Sequence, residues 1–449
     1  MSKRFIDYYL DAVTKKEGSG GGGSTLINKN ISANGTYNAS SDNADGYKKV
    51  VVNVPGSIVD VSPKDVNFID YDGTVIYAYT KDQFLQLTEM PENPSHEGLT
   101  AQGWNWELAD AKEYVTKYGG QVIGQNYVTS DGATRIYIDL EDENLLADAG
   151  VFLEVKPSGS SFTIDWGDGT IDSIASSVPS AERYSHSYNA TGQYVISIST
   201  SDDSVKVNLC STKPAVAAAN AMYQSSIFAK SNSATDADVR LNQAYLNCVR
   251  RIEIGSNVGI NGNSPFGQCT NLESITMPKN FRLSTSRAFS FYKCSQLRAV
   301  VLGSGEAYVD GHWFVGCVSL RYVSAPKSAT HMPVYTSNPT AYLFSGDTLL
   351  KEFWIPEGII AIGNHVFNGT QIRHAVIPDT VTKIGTSVFA NDYCLTEIHL
   401  MSTTPPELGT NVFAIPNERP LKIFVPSGSL ADYQAATNWS TYAAYMVEE

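Results

Sequence analysis

From about residue 248 the hydrophobic positions fall into a recurring block. Each block has an aromatic residue, a short polar turn, a leucine, and an apolar–polar alternation usually closed by proline or glycine. The copies read FGQCTNLESITMP, FYKCSQLRAVVLG, FVGCVSLRYVSAP, FSGDTLLKEFWIP, FNGTQIRHAVIP and FANDYCLTEIHL. The leading ring recurs at Phe266, Phe291, Phe314, Phe344, Phe367, Phe389 and Phe413, in steps of 25, 23, 30, 23, 22 and 24 residues. Period-2 alternation predicts one short strand per copy, with Ile275/Met277, Val300/Leu302, Phe353/Ile355 and Ile398/Leu400 turned inward. A single copy cannot bury its phenylalanine and leucine alone, so the copies must stack into a solenoid. The intervening positions then form outward columns. One runs Thr276, Val301, Ser324, Trp354, Val376, His399, Phe424; its neighbour runs Ser274, Ala299, Tyr322, Glu352, His374, Glu397.

Upstream the period changes. Phe5, Ile6, Tyr9, Leu10 and Val13 lie at helical spacing, which predicts a short amphipathic helix within residues 1–17. GSGGGGS at 18–24 is a flexible linker. Residues 25–57 read as a small β module ending in the alternating run YKKVVVNVP. Residues 58–146 contain the strand–turn–strand VNFIDYDGTVIYAYT with its Asp72-Gly73 turn. A helix, ELADAKEYVTKYGG, and a closing hairpin, QNYVTSDGATRIYIDL, follow. Residues 147–209 place FTIDWGDGTIDSI before ERYSHSYNATGQYVISIST, a pattern of strands and tight turns. Residues 210–247 are read as a linker and N-terminal cap of the solenoid, and 248–449 as the solenoid with its C-terminal cap. The fold class is therefore mainly β and multidomain.

Several of these segments resemble known families. NISANGTYNASSDNADGYKKVVVNVP resembles a module of phage tail and minor structural proteins. FIDYDGTV, the Pro-rich stretch and QGWNW resemble the β-grasp repeat of internalin-type surface proteins. The WGDG turn with its following H-x-Y and G-x-Y resembles a PKD domain, which implies an immunoglobulin-like sandwich. The repeats and the closing PPELGTNVFAI…SLADYQAATNWSTYAAYM resemble the BspA-type leucine-rich repeat of bacterial surface proteins and parasites.

Composition narrows the function classes. Lys and Arg total 32 against 46 Asp and Glu, a net charge of −14. That balance disfavours phosphate backbones and anionic lipid, so neither nucleic acid nor membrane insertion is expected. No apolar run is long enough to cross a bilayer, and no secretion signal or anchor is visible. Cys269, Cys294 and Cys317 share one repeat position, filled elsewhere by Asp347, Thr370 and Asp392. With no C-x-x-C pair, the six cysteines read as reduced structural thiols rather than zinc or redox centres.

No catalytic constellation, metal site or cofactor motif emerges, and no enzyme activity is expected. Asp165 and Asp168 are turn residues rather than a calcium set, since calcium asks for six to eight oxygens. Trp104 and Trp106 are expected in the core. A solvated sheet face rarely aligns Trp, Phe and two Val, so Tyr322, Glu352, Trp354, His374, Val376, Glu397 and His399 form the candidate ligand surface. The alternative is that a cap or another subunit covers them. The expected function is a phage virion adhesin (tail fibre, tail tip or head fibre) made in the host cytoplasm. Phe5, Ile6, Tyr9, Leu10 and Val13 would dock it on other virion proteins, and the repeats would bind a host-surface glycan or protein. A homo-oligomer would suit a projecting fibre. The competing reading is a bacterial cell-surface adhesin. On this view Trp354→Ala with Tyr322→Ala weakens adsorption to host cells and leaves melting unchanged.

Overall fold

The computed structural model describes residues 27–30, 50–54, 57–58 and 64–449, the last apart from 157–160, 176–177, 203, 211–226, 229–242, 262–264, 284–289, 307–308, 310–311, 333–341, 348 and 414–420. The chain divides into two compact units, Met1–Pro63 and Lys64–Glu449. In the first, β1 (Ile27–Asn30) runs parallel to β2 (Val50–Val54), which pairs antiparallel with β3 (Ser57–Ile58). The expected docking helix with Phe5, Ile6, Tyr9, Leu10 and Val13, and the glycine linker, lie outside the described residues.

The second unit opens with β4 (Val66–Ile69), β5 (Val75–Tyr79), β6 (Leu99–Trp104) and β7 (Gln121–Thr129), ordered β5-β4-β7-β6. The central pair is parallel and both outer pairs are antiparallel. The parallel connection needs a crossover, and the Leu108–Tyr118 helix supplies it. Its Ala111, Tyr114, Val115 and Tyr118 pack with Val66, Phe68 and Ile123. Gly119, at φ 101°, ends the helix where only glycine is comfortable. A second helix, Lys81–Leu85, went unread in the sequence although Thr80 and Gln83 form a capping box at its start.

The closing hairpin expected at 125–140 does not form. After Ser130-Asp131-Gly132 the chain leaves that sheet, and β8 (Thr134–Leu140) pairs with strands of the next two modules. The reason lies in burial: β7 is buried almost throughout, whereas β8 alternates, sending Ile136, Ile138 and Leu140 into a different core. The modules thus interlock across the boundary read at 146/147. With β9 (Ala149–Lys156), β10 (Phe162–Asp165), β11 (Ile171–Ile174), β12 (Val178–His186), β13 (Gly192–Thr200) and β14 (Lys206–Cys210), β8 builds two sheets, β11-β10-β13-β8 and β12-β9-β14. Their inner faces share one core around Trp166, Phe162, Leu153 and Ile196. This is a β-sandwich.

The sandwich also closes the solenoid. β15 (Val249–Glu253) pairs antiparallel with β8, and β16 (Val258–Asn261) pairs parallel with β14. Parallel rungs then follow: β15 with β17 (Ser274–Thr276), and β18 (Ala299–Val301) with β19 (Tyr322–Ser324). Further along come β20 (Ala361–Ile362), β21 (His374–Ile377), β22 (Lys383–Ile384), β23 (Glu397–Leu400), β24 (Glu407–Leu408), β25 (Lys422–Val425) and β26 (Met446–Glu448). They form two parallel sheets, β21-β23-β25-β26 and β20-β22-β24. The longest step, Phe314 to Phe344, carries residues 333–341, and the following segment, Glu352–Ile355, adds no ladder strand. At the far end Tyr433 and Trp439 fill the last rung.

The seven rings make one ladder. Consecutive phenylalanines from Phe266 to Phe413 lie 5.1–5.9 Å apart at interplanar angles of 2–20°. Two residues after each of the first six rings the backbone turns left-handed, at Gln268, Lys293, Gly316, Gly346, Gly369 and Asn391. The next position is the buried slot of Cys269, Cys294, Cys317, Asp347, Thr370 and Asp392. Cys294 donates to the Phe266 carbonyl at 3.1 Å and Cys317 to that of Phe291 at 3.0 Å. Thr370 donates to Asp392 at 2.7 Å. None of the six cysteines is in a disulfide, and burial raises the thiols of Cys294 and Cys317.

Two outcomes follow. A Cβ at Gly346 would meet nothing within 4 Å, so only backbone strain opposes it. Gly346→Ala should cost about 1–2 kcal/mol in urea denaturation; no loss would mean that the turn relaxes. Burial pushes Asp392 up to about 7 from 3.8, against bonds from Thr370 and nearby amides. An acid with a raised folded pKa stabilises fully below about pH 4 and loses that contribution as pH rises through about 7. Asp392→Asn should flatten the stability–pH curve across that window by on the order of 2–4 kcal/mol, and an unchanged slope would assign it elsewhere.

Candidate functional site

The outward columns are real, but most of their length is covered. The β4–β7 sheet lies between its own helix and the repeat strands. Ile69 and Val122 pack against Ala299 and Val301, with Tyr322 and Trp354 at the edge of that cluster. The close approach rests on two glycines of the β7 region. A Cβ on Gly124 would come within 2.4 Å of Val301, and one on Gly120 within 2.3 Å of the Trp354 ring.

A polar hub fixes the register of this seam. Asn105, buried between Trp104 and Trp106, accepts from the Gly124 amide at 3.0 Å. Its Nδ2 donates to the carbonyls of Leu302 and Ser324, both at 3.2 Å. Ser324 Oγ donates to the Val122 carbonyl at 2.7 Å. Trp106 donates to the Ala325 carbonyl at 2.8 Å, and Tyr114 OH to that of Ile355 at 2.6 Å. Every one of these polar groups is buried and partnered, which makes the seam intolerant of sliding. Lys117 meets Glu357 and Asp379, and Lys327 meets Asp110, in the exposed rim; such pairs add little.

Burial along the columns consequently runs as a gradient. Thr276, Val301 and Ser324 are sealed, Val376 is buried, Trp354, His399 and Phe424 are half-buried, and Val447 is 42% exposed. The candidate ligand surface must therefore be corrected. Tyr322, Trp354 and Val376 pack against the chain's own N-terminal module and are not a free surface. Glu352 accepts from Asn67 at 3.2 Å across the seam, and burial pushes its carboxyl up to about 7. The expectation that Trp354→Ala with Tyr322→Ala leaves melting unchanged falls with it.

His374, Glu397 and His399 remain together. His374 and Glu397 are register partners on β21 and β23, and His399 lies two residues along the same face. One ligand-capable atom from each lies within 4.8 Å of the others. The His399 ring stacks on Phe424 at 4.4 Å and 14°, and its Nδ1 faces Glu449 at 2.8 Å. His374 sits 4.8 Å from the His399 ring and 6.2 Å from that of Trp354. Burial first, and then the neighbouring His399, lowers the His374 pKa.

Elsewhere, Trp104 and Trp106 are core residues, as read from the sequence. They back a shallow pocket of about 370 Å³ with Met90, Glu92 and Lys279 at its rim. Asp165 and Asp168 cap turns, accepting from the Gly167 and Thr170 amides, and Asp168 also meets His186 at 2.8 Å.

Comparison with known proteins bears on the repeats. Segments 240–338 and 332–415 match the family described as BspA type Leucine rich repeat region, in six copies. Residues 240–415 are a BspA-type leucine-rich repeat region. No curated protein matches this sequence. A solved leucine-rich repeat protein from Bacteroides ovatus is similar over 39% of this chain and 51% of its own, at 20% identity and a TM-score of 0.31. The match thus spans about half of that protein's length.

The seam between the BspA-type region and the module that covers it is open to a double-mutant cycle. Gly124→Ala should cost about 1–3 kcal/mol by overpacking. Val301→Ala in the same chain should recover part of that loss, because it removes the atoms a Cβ would strike. Strictly additive losses in chemical denaturation would mean that the two residues do not meet.

Proposed function

We propose that the chain is a non-enzymatic adhesin that presents the uncovered C-terminal end of its repeat face to a glycan or protein of a bacterial surface. The observation that carries this reading is the gradient along the outward column. Its covered end serves cohesion, while its open end keeps His399, Phe424 and Val447 within reach of a partner. Phe424 and Val447 are register partners on β25 and β26, so they form one apolar patch beside the imidazoles. Aromatic and apolar groups in a polar surround are the usual anchors of recognition.

The carrier we propose is a phage virion. The supporting feature is the resemblance of residues 30–55 to phage structural proteins, with the amphipathic stretch 5–13 and the glycine linker ahead of it. On this reading Phe5, Ile6, Tyr9, Leu10 and Val13 engage other virion proteins, and the linker gives reach. A bacterial cell-surface adhesin is the second reading, favoured by the BspA-type repeats, a kind found in bacterial surface proteins.

Antibody labelling of purified particles against fractionated cells separates the two carriers: decoration of particles supports the first, and label confined to cell envelopes supports the second. For the surface itself, Phe424→Ala with Val447→Asp should cut adsorption to target cells at least tenfold and leave the melting temperature within a few degrees. Wild-type adsorption by that variant would remove the open end as the binding surface.

A further inference from the structure

We propose that His374, Glu397 and His399 bind a divalent transition-metal ion of the zinc class, with Glu449 orienting His399 from behind. Two imidazoles and a carboxylate are a donor set suited to such an ion, and three protein ligands leave a fourth position for water or an incoming anionic group. The frame that brings them together is rigid. Parallel register sets His374 beside Glu397, and the period of two along β23 puts Glu397 and His399 on one face. The three donor atoms already lie within 4.8 Å of one another. Metal–ligand bonds of about 2.0–2.2 Å require them to close to roughly 3–3.5 Å.

The surroundings are those of a ligand site rather than of a solvated face. The Glu449 carboxylate approaches His399 Nδ1 at 2.8 and 3.0 Å. When Nδ1 carries the proton toward that carboxylate, Nε2 is left as the free donor, the arrangement by which carboxylates orient metal-binding histidines. Phe424 holds the same ring from its face. Glu397, Glu449 and Asp65 place negative charge around His374. No spacing motif announces these ligands, because they come from rungs 23 residues apart and are joined only when the copies stack. The inference does not depend on the chain being an adhesin.

The test uses the untagged full chain. Zinc titration by calorimetry should show one site per chain, and cobalt substitution should give the visible absorption of a four-coordinate ion. His374→Ala and His399→Ala should each abolish both signals, while Glu449→Gln should weaken binding about 10–100-fold. Circular dichroism melts check that the variants fold, and His399→Gln serves if the alanine variant does not. Absence of zinc binding below millimolar concentration overturns the proposal. So does one-site binding that survives loss of both histidines.

Discussion

The whole molecule depends on one spacing. Parallel strands in a ladder sit about 4.7–4.9 Å apart, and any group that repeats once per rung must tolerate that distance from its own copy. A phenylalanine ring does so when slightly offset, as the 5.1–5.9 Å separations and near-parallel planes show. Offset stacking adds about 0.5–1.5 kcal/mol per pair to the burial of each ring. The ladder therefore fixes both the rise of the solenoid and its rotation about the axis. The left-handed turn two residues later and the small buried slot after it follow from the same demand: the chain must return tightly over the ring. Cys and Thr fit that slot because each is small and donates to a carbonyl of the ladder, whereas Asp392 fills it by accepting from Thr370 and from the Ile372 and Cys394 amides.

A stack of parallel rungs has two problems, its ends and its face, and this chain answers both with its own upstream modules. Strand β8 belongs to the sandwich and yet pairs antiparallel with β15, so the first rung has no open edge. The β4–β7 sheet then lies on the outward face and seals its first rungs through Gly124, Asn105 and Ser324. What reads as a string of spacers is one interlocked body from Lys64 onward. Apolar residues in the outward columns, Val301 and Val376 among them, are there for that internal contact.

The repeat half was legible because its signal is periodic and long. Each phenylalanine, each inward pair and the shared Cys/Asp/Thr position could be read from spacing alone, since stacking leaves few alternatives. The outward columns were equally legible as columns. Their burial was not, because it is decided by contacts between Gly124 or Asn105 and residues about two hundred positions away, and neither residue type announces a partner. Gly124 on β7 was the available sign: a glycine inside a strand marks close approach by something. The misplaced hairpin has a similar cause. Asp131-Gly132 is a turn in either arrangement, and only the difference between an almost wholly buried β7 and an alternating β8 separates a hairpin from a passage between sheets.

Coverage also determines where chemistry can reside. On the sealed rungs Ser324 and Glu352 spend their hydrogen-bonding capacity inside the seam, on Asn105, Val122 and Asn67. Past Val376 that requirement lapses. His374, Glu397 and His399 sit where the lid ends and the terminal strand begins, in a border strip that is neither dry enough to force internal pairing nor wet enough to scatter the side chains. Aromatic neighbours on both sides, Trp354 and Phe424, hold the imidazoles in place without consuming all their nitrogens. Such a strip arises wherever a cover is shorter than the face it lies on. In this chain it is where recognition chemistry can coexist with a rigid backbone.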